Sequence, residues 1–85
     1  MKTSNMNAAE FNAKWKDYLE PRFYGLAIDN QEVINFLDKE FEKETSINPN
    51  FRYSQIKTKF NSVKVYTNTE HNSHWAKEIS KILNP

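Results

Sequence analysis

Phe51–Thr67, FRYSQIKTKFNSVKVYT, carries the only sustained period-two patterning in the chain and its densest positive charge. Arg52–Phe60 and Val63–Thr67 are rich in the β-branched and aromatic residues that suit a pleated surface. Between them, Asn61-Ser62 reads as a two-residue turn, because Asn accepts the left-handed backbone that a tight hairpin demands. A hairpin closed there sets Phe60 opposite Val63, Thr58 opposite Val65 and Ile56 opposite Thr67. Opposed side chains point to the same side of a sheet, so these six form one face, apolar enough to be the buried one. The other face then holds Tyr53, Gln55, Lys57, Lys59, Lys64 and Tyr66. On it Lys59 and Lys64 stand opposite each other, which is destabilising by roughly 0.2–1 kcal/mol unless something offsets it. Water is the plainest compensation, since lysine stems cover apolar neighbours while the ammonium stays hydrated; an acidic helix or an anionic partner would also serve.

Charge is segregated around this stretch. Between Asp29 and Glu44 six acids (Asp29, Glu32, Asp38, Glu40, Glu42, Glu44) face only Lys39 and Lys43, a local net of −4. From Phe51 to Thr67, Arg52, Lys57, Lys59 and Lys64 meet no acid, a local net of +4. Exposed ion pairs contribute only about 0–1 kcal/mol each, so stability is a weak reason for this arrangement. The two elements either pair with each other or present two oppositely charged surfaces.

The flanking segments have helical grammar. Asn7 with Glu10 forms a capping box, Met6 and Phe11 have the spacing of a hydrophobic staple, and Phe11, Trp15, Tyr18 and Leu19 make one stripe. This helix is expected to end at Glu20, ahead of Pro21. A Trp and a Tyr on one stripe could form a ligand box, but at this spacing core packing is the stronger reading. The connector Pro21–Ile28 is apolar and holds the single glycine, Gly25. It reads as a tight apolar turn, with a short strand at 23–28 as the alternative. Asp29 with Glu32 opens a second helix whose stripe is Val33, Phe36, Leu37 and Phe41, with Ile34 at its edge and Asp38, Lys39 and Glu42 outside. Thr45–Asn50 is expected to be a loop. Thr69 or Asn72 caps a third helix with the stripe Trp75, Ile79, Ile82 and Leu83. The expected fold is α+β: three amphipathic helices packed on one face of an antiparallel β-hairpin, in the order α-α-β-β-α. Residues 1–6 form a flexible lead-in and 7–85 a single small domain.

The strings FYGLAI, VINFLDKEF and FRYSQIKTKFNSVKVY resemble small uncharacterised proteins of bacterial viruses and mobile elements. The resemblance spans roughly Phe23 to Asn68 and carries no functional motif. It implies an accessory role.

Composition excludes several classes of chemistry. With no cysteine there is no disulfide, thiolate ligand or cysteine nucleophile. One glycine permits no phosphate-cradling loop, and no serine-hydrolase or zinc-protease signature occurs. His71 and His74, spaced i, i+3 beside Glu70, lack a third confident metal ligand and read as surface residues. No catalytic residue, metal or cofactor is therefore expected, and the protein is read as a non-enzyme. The first residues lack the apolar run of a signal peptide, no stretch could span a membrane, and a cysteine-free domain this small suits a cytoplasmic setting. Net charge of +1 steers towards no particular partner.

Two binding readings follow. The leading one is a protein-interaction module using the hairpin face (Arg52, Tyr53, Lys57, Lys59, Lys64, Tyr66), the acidic helix (Glu32, Asp38, Glu42), or both. The alternative is single-stranded nucleic acid on the hairpin face, lysines on phosphates and tyrosines on bases. Four phosphate contacts give weak binding at physiological salt, and a nearby acidic helix would repel the ligand. The protein is expected to be a monomer, or a homodimer joined through a hairpin edge that the lysines otherwise protect.

Overall fold

Local hydrogen bonding opens the first helix where the sequence asks for it. Asn7 Oδ1 accepts from the Glu10 amide at 2.8 Å, and Glu10 Oε1 accepts from the Asn7 amide at 2.9 Å, which completes the capping box. The computed structural model describes residues 6–60 and 62–85, so most of the expected lead-in and the turn residue Asn61 lie outside the described residues. Along the chain come α1 (Ala8–Lys14), a 3-10 turn (Lys16–Tyr18), β1 (Gly25–Leu26), α2 (Gln31–Ile47), β2 (Tyr53–Lys59), β3 (Ser62–Thr67) and α3 (Asn72–Leu83). The α+β class and the three helices agree with expectation. The sheet differs: it has three strands in the order β1-β2-β3, with β1 parallel and β3 antiparallel to β2.

Specific contacts accompany each departure from the expected boundaries. α1 ends at Lys14 rather than Glu20. The chain tightens so that Leu19 bridges Tyr53 and the Glu20 amide donates to the Tyr53 carbonyl at 2.8 Å. Asn30, not Asp29, caps α2, accepting from the Val33 amide at 3.1 Å. Asp29 is used elsewhere, accepting from the otherwise free Ala8 amide at 3.0 Å. α2 runs on to Ile47, three residues into the expected loop, and the Thr45 and Ser46 hydroxyls satisfy themselves within the helix by donating back to the Phe41 and Lys43 carbonyls, each at 2.8 Å. α3 has His71 at its cap position with no side-chain cap bond, while Thr69 accepts from the His71 amide and Asn72 donates to the Thr67 carbonyl.

The connector holds both a turn, at its start, and a two-residue strand, Gly25–Leu26, which Asn12 secures. Asn12 Oδ1 accepts from the Leu26 amide and from the Tyr53 hydroxyl, both at 2.9 Å, and its Nδ2 donates to the Leu26 carbonyl at 3.0 Å. This pins β1 between α1 and β2. Gly25 has φ +75°, and a Cβ there would lie 2.4 Å from Asn12 Oδ1, so backbone and space both demand glycine. Leu19 and Gly25 flank Tyr53 and Gln55, which forces the residues between them to loop outwards. The loop turns at Glu20–Phe23 with Pro21 second and Arg22 third at φ 74°, in the manner of a type II turn, closed by the Phe23 amide donating to the Glu20 carbonyl at 3.3 Å. Phe23 and Tyr24 are consequently exposed.

The helical stripes meet the apolar side of the sheet around Phe41. Its ring lies 5.1 Å from Phe11, 5.5 Å from Trp15, 4.8 Å from Phe51, 4.9 Å from Tyr53 and 5.6 Å from Trp75. All six side chains are buried. Two indoles fasten the helices to each other: Trp15 Nε1 donates to Asp38 at 2.9 Å and Trp75 Nε1 to Glu40 at 3.2 Å. Positions two apart on a helix point about 200° apart, so α1 and α3 grip opposite flanks of α2. Among the described residues no helix is long and apolar enough to cross a membrane.

Candidate binding face

The hairpin closes one residue earlier than its sequence suggests. Lys59 pairs with Ser62, Thr58 with Val63, Lys57 with Lys64 and Ile56 with Val65. Every pairing has moved two positions along β3, and a shift of two preserves the alternation, so the sorting of the hairpin into two faces survives. The opposed like charges are therefore Lys57 and Lys64, not Lys59 and Lys64. Ile56 and Val65 are buried and Val63 is half-buried, whereas Phe60, expected in the core, lies in the turn at φ 50° and is 89% exposed.

Tyr53 is a second correction. Between the pairs Tyr53–Thr67 and Gln55–Tyr66 the register shifts, and Ser54 is the additional residue. This irregularity reverses the alternation below Gln55 and turns Tyr53 inwards. Its side chain is wholly buried, and burial pushes the phenol well above the usual tyrosine range. Arg52 is also engaged elsewhere. Its guanidinium donates to the Phe51 carbonyl at 2.7 Å and lies 5.7 Å from the Tyr18 ring.

The acidic helix is largely occupied within the molecule. Asp38, expected on a partner surface, accepts from Trp15 and sits 2.8 Å from Lys14 Nζ. That hydrogen bond raises the Lys14 pKa, with partial burial opposing it. Glu40 accepts from Trp75, and Glu44 lies 3.1 Å from His71 Nε2. Glu42 is 3.6 Å from Lys14 but stays open to solvent, and Glu32 is exposed in the first turn of α2. The strong carboxylate contacts thus hold α1 and α3 against α2.

What remains is the side of the sheet turned away from the helices. Gln55, Lys57, Lys59, Lys64 and Tyr66 stand on it as expected, and Phe23 joins them from the outward loop. An open groove of about 370 Å³ is lined by Phe23, Ser54, Gln55, Lys57 and Tyr66. Phe23 and Tyr66 are each about half exposed, at 51% and 49%. No acid lines the groove, and β2 and β3 contain none. Phe23 was not legible as part of this face; its only signal was an aromatic residue two positions after Pro21 in an apolar connector.

A second, polar cleft of about 490 Å³ lies between the end of α2 and the start of α3, lined by Glu44, Asn48, Asn68, Thr69, Glu70 and His71. His71 stacks on Trp75 with ring centres 5.6 Å apart, and His74 is exposed. Among the described residues no three His, Cys, Asp or Glu side chains gather as a metal ion would require. Compared with known proteins, the chain matches no family model, no curated protein and no solved structure.

Proposed function

We propose that this protein is a small non-enzymatic accessory module that binds an anionic partner on the bare face of its sheet. One observation carries the reading: Lys57, Lys59 and Lys64 share that face with two half-exposed aromatic rings and no acid, while Asp38 and Glu40 of α2 are bound to the indoles of Trp15 and Trp75. Opposing Lys57 to Lys64 works against the hairpin, and an anion on that face converts the repulsion into attraction. Tyrosine is among the side chains that carry most binding energy at interfaces, and Tyr66 stands half exposed on this face. The interaction module expected from the sequence belongs here in altered form: the partner meets the sheet, and Asp38 takes no part. The accessory role implied by the strings between Phe23 and Asn68 fits a module without catalytic equipment.

The reading is tested by immobilising the wild-type protein and the Lys57→Glu/Lys64→Glu variant and capturing partners from the native host, with and without nuclease. The wild type is expected to retain a saturable partner that the variant loses although it folds normally. A partner retained equally by both, or no saturable partner at all, contradicts it.

A further inference from the structure

We infer that the anionic partner is a single-stranded nucleic acid, whose bases stack on Phe23 and Tyr66 while its phosphates follow Lys57, Lys59 and Lys64. The inference rests on the binding face proposed above and names what that face takes. Three observations favour a nucleic-acid strand over an acidic peptide. The groove offers two aromatic rings, each half exposed, and every nucleobase presents a flat face to such rings whatever its sequence. An acidic peptide has no general counterpart to them. Lys57 and Lys59 are two positions apart on β2, which places them about 7 Å from each other along one side of the strand. Lys64 is paired across from Lys57, so the three make a short positive track beside the groove. Gln55 also lines the groove and supplies an amide that both donates and accepts, suited to the edge of an unpaired base.

The fold also removes the objection that an acidic helix would repel the strand. The buried stripe of α2 packs on the opposite side of the sheet, and Asp38 and Glu40 are bound to Trp15 and Trp75. A duplex has its bases already stacked and paired, so it can use the lysines but not the rings. The geometry therefore distinguishes single strands from duplex.

The test is fluorescence anisotropy with a labelled oligothymidylate, the same sequence as a duplex, and poly-glutamate of matched charge. The single strand is expected to bind at low salt and to weaken with added salt at a log–log slope of about −2, as three phosphate contacts require. Tyr66→Ala is expected to weaken binding on the order of tenfold without changing the salt slope, because stacking is lost and charge is kept. Lys57→Glu/Lys64→Glu is expected to abolish binding, and circular dichroism checks that both variants fold. No binding of the single strand at low salt, equal binding of the duplex or poly-glutamate, or unchanged affinity in Tyr66→Ala overturns the inference. If the oligonucleotide fails while host capture still yields a protein that depends on Lys57 and Lys64, the nucleic-acid assignment falls and the binding face stands. If neither is found, both fall.

Discussion

Gly25 and Asn12 depend on each other, because the Asn12 side chain fills the space a side chain at Gly25 would need. Gly25→Ala introduces a methyl 2.4 Å from Asn12 Oδ1 and strains a residue at φ +75°. The left-handed backbone alone costs about 1–2 kcal/mol, and the clash adds to it. Asn12→Ala removes the clash but not the strain, so Gly25→Ala is expected to cost about 1 kcal/mol less in that background; a double-mutant cycle by urea denaturation measures the coupling. Tyr53 makes the structure sensitive to alkali. Its pKa is raised in the folded state, so the unfolded chain, at about 10, releases the proton first. The associated stability is complete below pH 10 and declines as pH rises towards the folded value; Lys14, also raised, acts in the same direction. Tyr53→Phe loses the bond to Asn12 and is expected to cost about 1 kcal/mol at neutral pH while delaying the alkaline decline, read by denaturation at a series of pH values. Phe60 is the opposite case. It occupies φ 50° with its ring in solvent, so Phe60→Gly is expected to raise stability by about 1 kcal/mol in the same assay.

The elements were legible where the signal was local, and less so where a distant residue intervened. The capping box of Asn7 and Glu10, the stripes of three helices and the alternation of β2 and β3 all depend on neighbours within a few positions. The capping box and the stripes of α2 and α3 are present; the first stripe is divided, with only Phe11 inside α1, and the alternation of β2 holds from Gln55 onwards. Most of the departures trace instead to residues far apart in sequence. Asp29 looked like a cap because Glu32 follows at the right distance, but the Ala8 amide, far away in sequence, takes its carboxylate and leaves the cap to Asn30. β1 depends on Asn12, and nothing within Pro21–Ile28 announces that partner. The inward turn of Tyr53 follows from an irregularity at Ser54, where no glycine or proline marks it. The same holds for the acids of α2, which read as a solvated or partner-facing stripe until two indoles are brought against them. That use is testable on the elements themselves. Trp15→Phe and Trp75→Phe remove the N–H together with part of a buried ring, so each is expected to cost about 2–3 kcal/mol, the lost hydrogen bond and the lost packing combined, measured by chemical denaturation.

Across the whole molecule, one aromatic core joins every layer, and one sheet face is left over. Phe41 touches rings from α1, β2, α3 and the segment before β2, so Phe41→Ala is expected to cost about 3–5 kcal/mol. That is a large share of the roughly 5–10 kcal/mol that a domain of this size holds, and thermal unfolding is expected to show most of the cooperative transition lost or moved to low temperature. The helices occupy the apolar side of the sheet, Asp38, Glu40 and Glu44 are engaged between them, and the lysines and rings are left on the other side. The proposed binding face is therefore the outer side of the sheet, with the helices packed behind it. The most direct measurement compares two charge reversals in capture from the native host, quantified by mass spectrometry and repeated with nuclease: Lys57→Glu/Lys64→Glu on the sheet, and Glu32→Lys/Glu42→Lys on the exposed part of α2. Loss of the partner in the sheet variant with retention in the helix variant is the predicted result; retention in the sheet variant with loss in the helix variant would contradict it.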